Sequence, residues 1–363
     1  MLRSWQVNSV RVIRTPGLMQ RELEIGKDKD IEELKRVVSA MKKVYVTRRI
    51  PQKALDLLET ECSLEVNPHD RVLSKRELLE AARDAEGLLC LLTDQVDAEL
   101  LDQMPRLKIV ANCAVGYDNI DVPACTARGV AVSNTPGVLT ETTADMAWAL
   151  LMAAARRVVE ADRYVRDGKF KAWAPMLFLG QEVNHKVLGV IGMGRIGRAV
   201  ARRAAGFNMA VVYHNASRIT QEEERELGVE YRGLKDLLQE ADYITLHVPL
   251  NDQTRHLIGA QELKLMKKTA YLVNTSRGAI IDEKALVRAL RDNELAGAAL
   301  DVYENEPDLA PGLDELDNVT LAPHIASATV QTRTKMAVMA AENLLAGLNG
   351  DKIPNLVNSE LEL

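Results

Sequence analysis

Val187-Leu-Gly-Val-Ile191-Gly192-Met193-Gly194-Arg195-Ile196-Gly197 is the stretch that decides the fold. Three glycines spaced GxGxxG mean little by themselves. Here they follow an apolar, β-branched run and open a stretch of helical periodicity over residues 196–205, which is the context a dinucleotide-binding turn needs. Gly192 permits the tight turn, Gly194 lets backbone approach a pyrophosphate, and Gly197 allows the helix to pack closely on its strand. Met193, Arg195 and Ile196 complete the turn, and the helix N-terminus supplies N–H groups and a positive dipole end.

The chain alternates in the same way on both sides of this turn. Strands are expected at 187–191, 210–213, 243–247, 270–273, 297–300 and 320–322, with helices such as 196–205 and 283–293 between them. Six strands in that order fit a doubly wound nucleotide-binding domain. Upstream, strands at 44–46, 87–92, 107–111 and 130–132 and a helix at 53–61 form another alternating series. Parallel neighbours need crossovers of a dozen residues or more, so both series imply parallel sheets. Thr142-x-x-Asp145 reads as a capping box opening a long helix to Ala155. A helix at 158–167 ends at Gly168, and an irregular aromatic stretch over 170–178 contains Trp173 and Pro175. A last helix at 332–348 lies beyond the second series, so it can return to the first domain and make the nucleotide domain an insertion. The fold class is α/β, with two doubly wound parallel-sheet domains.

Bulk properties narrow the function. The 363 residues carry 46 basic and 52 acidic side chains, a formal charge of −6 without long runs of one sign, which argues against a nucleic-acid surface. Cys62, Cys90, Cys113 and Cys125 are widely spaced, the pattern of reduced thiols in a cytoplasmic protein rather than of a disulfide framework or metal site. The longest apolar helical stretch, Met146 to Ala155, is too short to cross a bilayer. Residues 1–20 are basic and free of acids, weakly like a mitochondrial presequence, but the favoured reading is an upstream extension, with Met41 as the natural start and residues 1–40 poorly ordered.

The second strand of the nucleotide domain ends Tyr213-His214-Asn215-Ala216-Ser217-Arg218. NAD-preferring sites place an acid there for the ribose 2′-hydroxyl. None is present, and Asn215, Ser217 and Arg218 can donate to a 2′-phosphate, so NADPH is favoured over NAD. Three later segments hold the groups a carbonyl reduction needs. Asn274-Thr275-Ser276-Arg277-Gly278, Asp301-Val-Tyr-Glu304-Asn-Glu306-Pro307 and Pro323-His324-Ile-Ala-Ser327 each follow a strand, at the sheet end where ligands bind. Arg277 offers a planar fork to a carboxylate and polarises the carbonyl. A histidine is the natural proton donor to the forming alkoxide, and a carboxylate beside it fixes the ring.

These segments, with the glycine turn, resemble the D-isomer-specific 2-hydroxyacid dehydrogenase family, from about Met41 to the C-terminus. The resemblance implies that Arg277 binds and polarises the substrate, that His324 is the acid/base and that Glu306 is its partner. It implies that Asp301 contacts the nicotinamide carboxamide and that Pro249, Thr275 and Ser276 line the cofactor site. Asn112-Cys-Ala-Val115-Gly116-Tyr117-Asp118-Asn119-Ile-Asp121 is similar to the family's substrate loop, in which the amides of Val115 and Gly116 hold a carboxylate, with Leu92-Thr93-Asp94 as a neighbouring wall. A flavodoxin-like substrate-binding domain (41–140 and 327–358), an inserted Rossmann dinucleotide-binding domain (141–326) and a homodimer follow from it, with the active site between the domains.

Asn134-Thr-Pro-Gly-Val-Leu-Thr-Glu141 and Trp173-Ala-Pro-Met-Leu-Phe-Leu-Gly180 point within the family to glyoxylate and hydroxypyruvate reductases, in which an aromatic such as Trp173 reaches the partner's pocket. The small residue between Trp173 and Pro175 departs from that pattern and leaves the pocket shape open. Phosphoglycerate, D-lactate and formate oxidation and a non-catalytic corepressor-like module are rivals. Ala114 to Asp118 lacks the bases a phosphorylated substrate wants, Glu306 stands where formate enzymes carry glutamine, and all three catalytic side chains are kept.

Overall fold

The structure, a computed structural model, describes residues 41–361; the expectation for residues 1–40 lies outside them. Those residues separate into two compact units, one running to Val138 and resuming at Val330, the other spanning Leu139–Thr329.

In the first unit, β1 (Lys42–Val46), β2 (Cys62–Val66), β3 (Gly87–Cys90), β4 (Ile109–Asn112) and β5 (Ala131–Ser133) form one parallel sheet in the order β2-β1-β3-β4-β5. That is the flavodoxin-like order, with its switch point between β1 and β3. Every residue of β3 and β4 is buried, as expected for parallel strands covered on both faces. The helix Val330–Asn349 packs on these strands, setting Leu344 against Gly87 and Gly347 against Ile109. The sequence reading lacks β2, whose half-exposed residues show no apolar run.

The second unit holds β6 (Val187–Ile191), β7 (Ala210–His214), β8 (Val229–Tyr231), β9 (Tyr243–Leu246), β10 (Tyr271–Asn274), β11 (Gly297–Leu300) and β12 (Val319–Leu321). All pair in parallel, in the order β12-β11-β10-β9-β6-β7-β8, which is the Rossmann winding with one further strand beyond its six. The expected series has six strands. The strand missing from that expectation, β8, is three residues long on the sheet edge and carries the exposed Glu230.

The long helix starts at Thr140, with Leu139 as its N-cap and without a side-chain cap, so the capping box expected at Thr142–Asp145 is not there. Helical bonding already begins with the Thr143 N–H on Leu139 C=O, which puts Thr142 inside the first turn. Asp145 pairs with Arg203 instead, at 2.7 Å. Among the described residues, no helix is long and apolar enough to cross a membrane, and all four cysteines are free and buried.

Candidate active site

The glycine turn is built by close approach. Gly192 has φ +99°, and a Cβ there would lie 2.5 Å from the His247 carbonyl oxygen. A Cβ on Gly197 would lie 1.9 Å from the Gly192 oxygen, so only glycine lets this helix start against its strand. Gly194 is the opposite case: the space around it is open, and it caps the helix Arg195–Ala204 without a side-chain bond. Arg195 is exposed and Met193 buried, with Ile196 between them in exposure. An uncapped helix N-terminus beneath an open glycine is the donor set that suits a pyrophosphate. The turn fits a dinucleotide.

At the end of β7, the Asn215 side chain stands where an acid is otherwise found. Its Oδ1 accepts from the Met193 N–H at 3.3 Å, and its Nδ2 donates to the Ser217 carbonyl at 2.8 Å. Ser217 is exposed. Arg218 makes two bonds of 2.7 Å, from Nε and Nη2, to the carboxylate of Glu224, a partner absent from the sequence reading. Tyr213 Oη donates to the same carboxylate at 2.7 Å. The Arg218 bonds, then the Tyr213 bond, hold Glu224 down to about 2, against the opposing effect of burial. Two of the five guanidinium N–H groups are thus engaged.

Three turns at the carboxyl ends of β10, β11 and β12 lock together. Asn274, fully buried, accepts from the Ser276 N–H at 3.0 Å and donates to the Arg277 carbonyl at 2.9 Å, fixing the first turn. Ser276 Oγ donates to Leu246 C=O, while the buried Thr275 Oγ1 has no partner among the described residues. A Cβ on Gly278 would sit 1.8 Å from the Tyr303 carbonyl carbon, so this turn packs directly on the peptide between Tyr303 and Glu304. Arg277 is partly exposed, with Nη1 donating to Ser276 C=O at 2.9 Å.

Asp301 is wholly buried and its two oxygens accept from the Ile325 and Ala326 amides at 2.8 and 2.7 Å. Burial raises its pKa and those bonds oppose the rise. The residue assigned to nicotinamide thus also clamps the His324 turn. His324 has φ +55°, a strained value for a residue with a side chain, and its N–H is tied to Asp301 C=O at 2.8 Å. Its Nδ1 meets Glu306 Oε2 at 2.9 Å and Oε1 at 3.2 Å, which leaves Nε2 turned from the carboxylate. Burial pushes the Glu306 carboxyl up, but the His324 bond and charge, the Tyr303 N–H and the Arg277 charge outweigh it and hold it below its ordinary value. Sequence reasoning missed a second pair on this loop, His256 Nε2 and Glu304 Oε1 at 2.7 Å, with the Glu304 N–H on buried Glu283 at 2.8 Å. The histidine lies 48 residues from its partner, so nothing local marks it.

Pro249 is exposed just after β9, and its carbonyl accepts from Thr254 Oγ1 at 2.6 Å. Trp173 is 80% exposed. In the other unit, Val115 and Gly116 follow β4, and their carbonyls accept from Asn134 Nδ2 at 2.7 Å and Asn112 Nδ2 at 2.9 Å. Asp94 is buried, raised by that burial, and accepts from Thr47 Oγ1 at 2.5 Å. Among the described residues, no cluster of His, Cys, Asp and Glu is arranged to hold a metal.

Three comparisons bear on this arrangement. The NAD-binding domain of the D-isomer specific 2-hydroxyacid dehydrogenases matches residues 148–326. The glyoxylate reductase of Korarchaeum cryptofilum is 55% identical over 322 residues, which cover 88% of this chain and 96% of that protein. Among solved structures, a glyoxylate reductase from Paecilomyes thermophila is 34% identical with a TM-score of 0.79, covering 88% of this chain and 99% of that one. An NADPH-dependent glyoxylate/hydroxypyruvate reductase from Sinorhizobium meliloti, in complex with NADP and malonate, is 32% identical with a TM-score of 0.78, covering 88% and 97%.

Proposed function

Because the chain belongs to the D-isomer specific 2-hydroxyacid dehydrogenase family, we propose that it reduces glyoxylate, and hydroxypyruvate beside it, to the corresponding 2-hydroxy acid with NADPH. The observation that carries the reading is the His324–Glu306 pair beside the turn of Arg277. When bound, the reduced nicotinamide supplies the hydride. Arg277 grips the carboxylate and draws charge onto the carbonyl oxygen. With Nδ1 committed to Glu306, His324 presents Nε2, and the proton it carries there goes to the forming alkoxide. The amides of Val115 and Gly116 hold the carboxylate. Asp301 steadies the His324 turn and faces the carboxamide, and Pro249, Thr275 and Ser276 line the cofactor's place.

The preference for NADPH rests on Asn215, Ser217 and Arg218 in place of an acid. Arg218 keeps three N–H groups beyond those on Glu224, enough to meet a phosphate. We assign residues 41–140 and 327–358 to substrate binding and 141–326 to the dinucleotide. A homodimer is supported by Val158, Val165, Phe170, Trp173, Met176 and Leu179, large apolar side chains exposed along one segment. The free, buried cysteines suit a reducing compartment, and we place the protein in the cytoplasm.

Initial rates of NADPH and NADH oxidation with glyoxylate, hydroxypyruvate, pyruvate and 3-phosphohydroxypyruvate test the reading. The expected result is fastest turnover with glyoxylate or hydroxypyruvate and with NADPH. Turnover confined to pyruvate or the phosphorylated acid would overturn the substrate assignment, and faster turnover with NADH would overturn the cofactor assignment.

A further inference from the structure

The loop after β4 is held by three successive carbonyl groups. Ala114 C=O accepts from the Thr135 N–H at 2.9 Å, Val115 C=O from Asn134 Nδ2 at 2.7 Å and Gly116 C=O from Asn112 Nδ2 at 2.9 Å. In a trans peptide the carbonyl and the next residue's N–H point in opposite directions. Pinning the Ala114 and Val115 carbonyls toward residues 134–135 therefore turns the Val115 and Gly116 amides away from them. Pinning the Gly116 carbonyl does the same for the Tyr117 amide with respect to Asn112. None of these three amides donates to an acceptor among the described residues. Successive backbone N–H groups left open in this way form a nest for an anion.

The anchors are themselves anchored. Asn112 and Asn343 are fully buried. Asn112 Nδ2 also reaches Asn119 Oδ1 at 3.1 Å, and Asn119 Nδ2 donates to the Leu91 and Asp94 carbonyls at 3.1 and 2.9 Å. On the other side, the Asn134 carbonyl accepts from Asn343 Nδ2 at 3.0 Å, and Asn343 Oδ1 accepts from Asn355 Nδ2 at 3.1 Å. The Asn134 N–H donates to Asn355 C=O at 3.3 Å. A buried amide costs stability unless its donors and acceptor are met, and here successive amides meet one another up to the loop carbonyls. A plain turn needs none of this, since Thr135 alone would close it.

We propose that Asn134 and Asn112 are positioning residues: they fix the Val115 and Gly116 carbonyls so that the amides of Val115, Gly116 and Tyr117 stand ready for the carboxylate of the oxo acid. This rests on the function proposed above, in which that loop takes the carboxylate. Tyr117 N–H is the third donor, beyond the two the family resemblance supplies.

Asn134 is the residue to change, because its backbone bonds to Asn343 and Asn355 survive loss of the side chain. Asn134→Ala and Asn134→Asp, made in the full chain, are compared with the parent by KM and kcat for glyoxylate, calorimetric Kd for oxalate and for NADPH, and melting temperature. The expected result is a KM about tenfold higher for Ala and higher still for Asp, which cannot donate and sets a carboxylate against the Val115 carbonyl. A tenfold loss corresponds to about 1.4 kcal/mol. Oxalate binding weakens by the same factor, while kcat and NADPH binding stay within about twofold. Unchanged KM and oxalate Kd with a lower melting temperature reduce Asn134 to a structural bond and overturn the proposal. So does a parent protein that does not bind oxalate. If the parent binds oxalate but reduces none of the oxo acids, the functional reading fails, and the oxalate comparison still decides whether Asn134 aims the amides.

Discussion

The cluster at the ends of β10, β11 and β12 and the loop after β4 solve the same problem in opposite ways. In the cluster, the groups proposed to act are side chains, and the backbone seats them. Gly278 lies against the peptide between Tyr303 and Glu304, and buried Asp301 draws in the amides beside His324. In the loop, the groups on offer are backbone amides, and side chains seat them: Asn134 and Asn112 bind the carbonyls and turn the N–H groups outward. A side-chain site is therefore vulnerable at the named residue itself. A backbone site is vulnerable one layer behind, at residues that never touch a ligand.

Arg277→Ala gives the largest expected effect, because it removes the carboxylate grip and the carbonyl polarisation together. We expect kcat/KM for glyoxylate to fall about a thousandfold, on the order of 4 kcal/mol of transition-state stabilisation. Val115→Ala, in the loop, leaves the amide in place and should stay within about threefold. Steady-state kinetics on both variants decides the matter: similar losses would erase the distinction between the regions, and near-normal activity for Arg277→Ala would remove that residue from the mechanism.

Gly278→Ala comes next. Its Cβ would fall 1.8 Å from the Tyr303 carbonyl carbon, which cannot move without shifting the loop of Glu306. Overpacking of this kind costs about 1–3 kcal/mol in a rigid setting. We expect a melting temperature several degrees lower and, in the protein that still folds, about a hundredfold loss in kcat, since Arg277 and Glu306 no longer share one seat. A fully active, equally stable variant would show that the two turns are not mechanically joined.

The same contrast explains what could be read from the chain. Gly192, Gly194, Gly197, Arg277, Glu306 and His324 announce themselves because the roles proposed for them rest on their own side chains, or the lack of one, and each falls in a segment that follows a recognisable strand. The loop after β4 carries almost no local signal. Val115 and Gly116 stand out only through the family resemblance, and Asn343 lies 209 residues from Asn134 in the chain. β8 escaped notice because three residues on a sheet edge show no periodicity. The helix starts at Thr140, ahead of the Thr142–Asp145 pair, because the bond from Thr143 to Leu139 needs no side chain. Arg218 reads in sequence as an open donor, and its bidentate bond to Glu224 emerges only once the next helix folds back.

That pair gives the smallest and most specific expectation, in a third arrangement where side chains hold a side chain. Glu224 is held at about 2 in the fold, first by its bonds from Arg218 and then by Tyr213, against an ordinary value of 4.5. A carboxyl whose pKa is depressed by folding stabilises the protein above its unfolded pKa, and that contribution is lost as pH falls through the folded value. Glu224→Gln cannot ionise and should therefore be less stable than the parent by a constant amount at neutral pH. The gap should begin to close near pH 4.5 and be nearly gone at pH 2. Denaturant midpoints for both proteins, taken across this range, read it directly. Glu223, also held at about 2, by Arg198 first, titrates in both proteins and cancels in the difference. A gap that stays constant from pH 7 to pH 3 would mean that the Glu224 charge does not hold Arg218, leaving that guanidinium as open as the sequence makes it look.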